Sequence, residues 1–386
     1  MKRTTILSIC LFIYSLSGFG QIIINHSNTD ITALSEQEIN EAKSLLHIAY
    51  GHTSHGSQLT DGMTKLVDFA NGGGKGLSLP TDIFEWNDGG TDGALHLHDN
   101  AMDGDVGYYP QWVNNTTSYL GPVDSETGKG TYNPDMNVIL WSWCGQAAGY
   151  SEQDMIDKYL TPMNTLEETY YNVKFVYMTC HLNGTGENGN LNLRNEQIRN
   201  YCLVNNKILY DFADIESYDP DGLVNYMLLN ANDNCDYDSD GNGSLDKNWA
   251  ADWQNTHTEN DDWYTCSCIH SQALNGNQKA YAAWNLFSEI AKEIKRESIP
   301  NNEIVVDNQQ SIVVYPTPNN GRFTIKLENI DSETRVLIYS SVGQIVYDAT
   351  MTDNSLSFEL TDLQRGIYFI KAINNQKQFD QKIVVQ

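Results

Sequence analysis

Basic residues are scarce in this 386-residue chain: 23 Lys and Arg stand against 50 Asp and Glu, a formal net charge of −27. That deficit excludes nucleic acid and anionic membrane surfaces as partners, because a polyanion would be repelled. It suits a neutral substrate or bound cations. Long apolar runs are missing after the first twenty residues, so nothing downstream reads as a membrane span. Any Cys-x-x-Cys pair, the spacing a structural zinc site ordinarily needs, is absent too. The acidity is itself uneven. From Ser311 onward eight acidic residues face seven basic ones, so nearly all the excess lies earlier and two units with different surfaces are expected.

Residues 1–20 read as a signal peptide: Lys2 and Arg3, an apolar Ile6–Tyr14, then the small-residue stretch Gly18-Phe19-Gly20 before Gln21. Cleavage predicts a product secreted or held at the cell surface by way of the periplasm. Cys10 leaves with the signal, and Cys144, Cys180, Cys202, Cys235, Cys266 and Cys268 remain. An even number in an exported chain predicts disulfides, with Cys266 and Cys268 each seeking a distant partner and the connectivity open.

Between residues 21 and 297, short apolar stretches alternate with segments of helical spacing. Ser35–Leu46 opens on a Ser-x-x-Glu capping box. Apolar runs follow at Ile48–Tyr50, 137–146, 173–181 and 207–215, with helical stretches over Ser151–Thr169, Arg194–Val204 and Asn277–Lys295. Residues 71–135, rich in Gly, Asp and Asn, read as loop. The pattern predicts an α/β fold, a three-layer α/β/α domain around a mostly parallel sheet, with chemistry at the carboxyl ends of the strands. Residues 298–310 read as a linker. From 311 to 386 the apolar period becomes two, predicting seven strands in a small antiparallel β-sandwich.

Four constellations carry chemistry. The turn Gly51-His52-Thr53-Ser54-His55-Gly56 ends the first strong strand, and Ser54 has the exposed position of a nucleophile there. The plain alternative is a polar turn with ordinary hydrogen bonds. His270 precedes the last helix, where a base arriving from a distant loop would be needed. In DYDSDGNGSLD, Asp238, Asp240, Asn242, Ser244 and Asp246 take calcium-loop positions 1, 3, 5, 7 and 9, with Asp236 adding charge. Trp249 occupies position 12, where a bidentate Glu is usual. A structural calcium in an insertion near 233–250 is expected, against a plain acidic loop. Finally, His96 and His98 form a His-x-His pair that, with His52, His55 and His181, could build a zinc or manganese centre.

Two resemblances extend this reading. VYPTPNNGRFTI, IYSSVGQIV, LQRGIYFIKA and the ending QKIVVQ resemble the C-terminal sorting domain of type IX secretion, with Thr317 where Asn is usual. That implies export across the outer membrane through the type IX machinery. The segment His47–Ile294 resembles the SGNH/GDSL hydrolase superfamily in a divergent form, with H-x-S-x-G in place of Gly-Asp-Ser. This resemblance implies Ser54 as nucleophile and His270 as general base, with no cofactor required for catalysis. The acid usual three residues before the His is Ser267, so Asp262 or Asp261 is left to orient His270. The backbone N–H of Ser54, Gly90 from NDGGTDG and Gln146 are the oxyanion candidates. His55, Gly56 and Asn183 stand as further oxyanion or substrate contacts.

The expected function is therefore a secreted serine esterase or acyl hydrolase acting on an ester or glycan, with Trp86, Trp112, Trp141 and Trp143 as aromatic contacts or core. The alternatives are a metal-dependent hydrolase using the histidines, and a non-catalytic surface binding protein on the same scaffold.

Overall fold

A computed structural model of the chain describes residues 21–298 continuously. In the C-terminal unit it describes 312–316, 319–327, 334–340, 345–351, 353, 355–360, 363, 365–374 and 377–385. The signal peptide, nearly all of the linker, and Thr317 of the sorting motif lie outside the described residues. The chain divides into two units, Met1–Arg296 and Glu297–Gln386.

In the first unit β1 (Ile23–Ile24) is followed by α1 (Glu36–Leu45), β2 (His47–Gly51), α2 (Ser54–Asn71), β3 (Trp86–Asn87), β4 (Leu95–Met102) and α3 (Gln111–Leu120). Next come β5 (Val138–Trp141), α4 (Glu152–Met155), a π-helical turn into α5 (Thr161–Thr169), β6 (Lys174–Met178), α6 (Asn190–Asn205), β7 (Ile208–Tyr210) and α7 (Phe212–Ile215). The short pair β8 (Asp236–Tyr237) and β9 (Lys247–Asn248) precedes α8 (Trp249–Thr256) and the long α9 (Ala273–Ser298). Seven strands form one sheet in the order β1-β7-β6-β5-β2-β4-β3. Every pairing within it is parallel.

The strands alternate strictly between two cores. Ile48, Tyr50, Val138, Leu140, Val176, Met178 and Tyr210 face one side, packed with α1, α2 and α9 residues such as Ile39, Leu59, Met63, Trp284 and Phe287. Ala49, Ile139, Trp141, Phe175, Tyr177 and Leu209 face the other, against Trp112, Leu120, Tyr159, Met163 and Ile198. With both faces covered, strands read as continuous apolar runs, which is why they stand out in the sequence. The central five strands, β4-β2-β5-β6-β7, follow the doubly wound order 2-1-3-4-5. Such sheets open a crevice outside the strand ends where the winding reverses, here between β2 and β5.

Two expectations need correction, and the open reading of the tryptophans is settled as core. Residues 71–135 are not all loop: β4 pairs with β2 along its length, and α3 follows. The strand is written as Leu95-His96-Leu97-His98, apolar residues inward and imidazoles outward, a period of two obscured by the Gly- and Asp-rich sequence around it. The six cysteines carry no disulfide. Cys266 and Cys268 turn their sulfurs toward the same neighbour, Gly276, rather than toward distant partners, because the loop entering α9 folds back on itself. Trp112, Trp141 and Trp143 are core residues, fully or almost fully buried, and only Trp86 is partly open.

Helices α2 and α9 pack very closely. A Cβ at Gly62 would lie 2.2 Å from the Gly276 carbonyl oxygen. Tyr264 donates to the Gly62 carbonyl at 3.0 Å, and the Gln58 amide donates to the Ile269 carbonyl at 2.5 Å. The loop before α9 is thereby fastened to the first turns of α2. This brings two segments more than 200 residues apart to one sheet edge.

In the second unit, β10 (Ile312–Tyr315), β11 (Arg322–Leu327), β12 (Thr334–Ser340), β13 (Ile345–Met351), β14 (Ser355–Glu359), β15 (Gly366–Asn374) and β16 (Lys377–Val385) form two antiparallel sheets, β10-β11-β14 and β13-β12-β15-β16. Phe323, Ile325, Val336, Ile338, Phe358, Ile370 and Ile383 fill the space between them.

Candidate active site

The turn that leaves β2 is held from three directions. Thr53, extended at the N-cap of α2, donates its hydroxyl to Asp105 at 2.7 Å. His52 is buried, with Nε2 2.8 Å from Asp99. At Gly56 a Cβ would meet Ser142 Oγ at 2.2 Å and His52 Cβ at 2.4 Å, so glycine lets the first turn of α2 close onto β5. Ser54 is left as the first residue of an eighteen-residue helix. The orphan N–H groups of that first turn, and the positive end of the helix dipole, lie beside its hydroxyl.

His270 arrives from the loop before α9. Its φ of 68° lies in the left-handed region, an uncommon conformation for a residue other than glycine. The backbone is held there by a turn in which Ser271 N–H donates to the Cys268 carbonyl at 2.9 Å. His270 Nε2 lies 3.0 Å from Ser54 Oγ, the distance of a serine hydroxyl donating to a base.

Behind this pair stand residues that local sequence does not connect. His55 stacks between two other imidazoles: the His181 ring at 4.1 Å and the His270 ring at 4.5 Å. Its Nε2 lies 3.0 Å from Asp233, and its Nδ1 lies 3.2 Å from the Cys144 sulfur. Cys144 lies three residues past the end of β5, 3.7 Å from Ser54 Oγ. Burial opposes a charge on His55, but its hydrogen bonds to Asp233 and Cys144 outweigh it and raise its pKa to about 9. His55 in turn draws the Cys144 thiol down to about 7, against burial. Burial also works against the Asp233 carboxylate, yet the bond from His55 and the charges of His181 and His270 keep it below the usual range. His181 is shifted down, first by burial and then by His55.

Beneath the imidazoles, Lys279 and Glu216 form a fully buried ion pair at 2.5 Å. Glu216 also accepts from the Leu182 N–H at 2.8 Å and from Asn275 at 3.2 Å. One carboxylate therefore ties the loop after β6 to α7 and α9.

The structure brings Ser54, His55 and His270 together, and leaves the other expected residues elsewhere. Asp262 accepts from the Thr258 N–H at 2.8 Å. It lines a cavity of about 780 Å³ with Asp261, Asp30 and Lys75, which contains neither Ser54 nor His270. Among the described residues no carboxylate lies within 4.0 Å of a His270 nitrogen. Gln146 donates to Asp105 at 3.3 Å, one residue removed from the Ser54 turn, and Cys144 stands nearer. Gly90 donates its N–H to Asn87 in a turn packed on His96. Asn183 is exposed and accepts from Thr185.

His96 and His98 both turn toward Asp88, at 3.5 and 3.7 Å. Of the expected histidine centre, then, only His55 and His181 meet. In the acidic loop Asp238 accepts from the N–H groups of Gly241, Asn242 and Gly243, Asp240 from Asn242, and Asp246 from Ser239. Asp236 accepts from Asn234 and Asn248, and Ser244 N–H donates to Asn242. Trp249, at the twelfth position, is buried at the start of α8.

Cys144 and His181 do have a faint sequence signal, since each falls near the end of an apolar run whose first part becomes a strand. Asp233 has none, as it reaches the site from an irregular segment.

The fold and site define a secreted α/β protein with a crevice where a serine hydroxyl meets clustered imidazoles, followed by a sorting unit. Residues 313–386 match the family described as the secretion system C-terminal sorting domain. The chain is accordingly sorted by the type IX route to the cell surface or beyond. No helix among the described residues is long and apolar enough to cross a membrane. The chain is 33% identical over 92 residues to Ulvan lyase NLR42 of Nonlabens ulvanivorans, a match covering 23% of this chain and 17% of the lyase. It thus spans about a sixth of that relative's length. Among solved structures, PorZ, a surface component of the type IX secretion system of Porphyromonas gingivalis, is similar over 22% of this chain and 12% of its own, at 17% identity and a TM-score of 0.18. An endo-beta-1,4-mannanase from Thermotoga petrophila aligns over 71% of this chain and 60% of its own at 10% identity, with a TM-score of 0.17.

Proposed function

We propose that the protein is an exported serine hydrolase of SGNH type that removes acyl groups, acetyl among them, from a polysaccharide. The observation that carries this reading is the 3.0 Å separation of Ser54 Oγ and His270 Nε2 at the mouth of the crevice between β2 and β5. The 2-1-3-4-5 order of the central strands and the serine at the first helical position add support. The carbohydrate part rests on type IX export and on the partial match to an ulvan lyase.

In the acylation step Ser54 Oγ attacks the ester carbonyl while its proton passes to His270 Nε2. The first N–H groups of α2 face the oxyanion as it develops. His270 then returns the proton to the departing sugar hydroxyl. Water, deprotonated by the same nitrogen, releases the acid and restores Ser54. A dyad performs these transfers without a hydrogen-bonded carboxylate on His270. A calcium ion in the 238–246 loop would serve folding rather than this chemistry.

A fluorophosphonate probe should label the purified protein at Ser54, and Ser54→Ala should abolish labelling and turnover of acetylated glycans together. Labelling that persists in Ser54→Ala removes the assignment. Glycan binding with neither labelling nor turnover would favour a non-catalytic surface protein instead.

A further inference from the structure

We propose that His55, His181 and Asp233 form a binding site for one divalent transition-metal cation of the zinc class, set directly against the Ser54–His270 pair. The three side chains can each offer a ligand atom such that all three atoms lie within 4.8 Å of one another. They belong to three separate elements: the first turn of α2, the loop after β6, and the segment before β8.

The hydrogen bonds around the imidazoles decide which nitrogens are available. His181 Nδ1 donates to the Leu182 carbonyl at 2.6 Å, which leaves Nε2 as the lone-pair nitrogen. That Nε2 is buried and has no hydrogen-bond partner, on a residue only 8% exposed. A buried acceptor without a partner is costly, and this one faces a second imidazole and a carboxylate, so a cation would satisfy it. His55 is held in the same sense. Its Nδ1 is engaged by the Cys144 sulfur, which leaves Nε2 on the Asp233 side. Metal-binding imidazoles typically have the second nitrogen committed in this way, which sets tautomer and ring direction.

Spacing and chemistry agree. Tetrahedral ligands at about 2.0–2.1 Å from a cation lie about 3.3 Å from one another. The Asp233–His55 separation of 3.0 Å is already close to that value. Two imidazoles with one carboxylate suit zinc, cobalt or ferrous iron and are poor for calcium or magnesium, which prefer all-oxygen sites. Three protein ligands leave a position open, the arrangement of a cation that meets water or substrate. With the His270 ring stacked on His55 at 4.5 Å, that position belongs to the same crevice as Ser54. Binding is balanced by loss of the proton that Asp233 holds on His55 Nε2. This inference stands on the His181 and Asp233 geometry and does not depend on Ser54 being a nucleophile.

The test is zinc titration of the full mature chain after chelation, followed by calorimetry and metal analysis, with the neighbouring Cys144 thiol controlled by a Cys144→Ser variant. One zinc per chain is expected for the wild type, and Cys144→Ser should keep that stoichiometry because a serine hydroxyl can still engage His55 Nδ1. His181→Ala and Asp233→Asn should bind at least 100-fold more weakly, and His98→Ala should bind normally. Cobalt loaded in place of zinc should give the visible spectrum of nitrogen and oxygen ligation, without a thiolate charge-transfer band. That measurement needs only wild-type protein, so it decides the matter even where a histidine variant fails to fold. Absence of stoichiometric zinc, equal affinity in His181→Ala, or a thiolate band overturns the proposal. Loss of fluorophosphonate labelling would bear on Ser54 alone, so the two readings fail separately.

Discussion

Ser54 Oγ and His270 Nε2, separated by 216 positions in the chain, meet at 3.0 Å. Neither residue makes the contact alone. Ser54 is presented by the closure of α2 onto β5, and His270 by the Gln58 clasp on Ile269 and the turn after Cys268.

Replacing the base tests that pairing. His270→Ala should lower kcat on an activated ester by about 10²–10⁴-fold. KM and thermal stability should be nearly unchanged, because the ring is largely exposed. Asp262→Asn should leave both constants at wild-type values, since its carboxylate caps a turn at Thr258. A loss in Asp262→Asn comparable to that in His270→Ala would contradict the placement of Asp262 on Thr258, away from His270.

Lys279 and Glu216 make a second prediction. Removing one partner of a buried pair strands the other charge, at a cost of about 3–5 kcal/mol. Lys279→Met should therefore unfold at markedly lower denaturant. The double variant Lys279→Met with Glu216→Gln should regain part of the loss, because the glutamine oxygen can still accept from Leu182 N–H. Equal stability of single and double variants in urea titrations would show that the charge is not what matters.

The acid limb of stability should contain a contribution from Glu38. Its carboxylate bonds Lys292 at 2.7 Å and closes the capping box on Ser35, and these contacts, Lys292 foremost, lower its pKa to about 2. A depressed carboxyl contributes stability that is complete above its unfolded value near 4.5 and disappears as pH falls toward about 2. Glu38→Gln should cost about 1 kcal/mol at neutral pH, in the range of a cap and a half-exposed ion pair. The cost should vanish below about pH 2. A penalty independent of pH would point to packing instead.

The acidic loop separates calcium from zinc. Millimolar calcium should raise the melting temperature by several degrees, and Asp240→Ala should abolish that shift without altering zinc stoichiometry. Indifference of the wild type to calcium would leave the loop as a hydrogen-bonded turn built on Asp238.

The sorting unit, the parallel sheet and the two segments carrying Ser54 and His270 were legible in the chain itself. Their signals are local: strands covered on both faces are continuously apolar, surface helices are periodic, and a tight strand-to-helix turn needs its small residues within a few positions. The strand at Leu95–Met102 was harder to see, because glycine- and aspartate-rich loops enclose its alternation. Which polar groups meet is settled by long-range packing alone. His55 faces Asp233 and Cys144 rather than His52, Asp262 stays away from His270, and Cys266 and Cys268 turn inward together. Those contacts depend on strand order and on the close approach of α2 and α9 at Gly62 and Gly276. Residues tens or hundreds of positions apart carry no mutual mark in the sequence until the sheet sets their strand ends side by side.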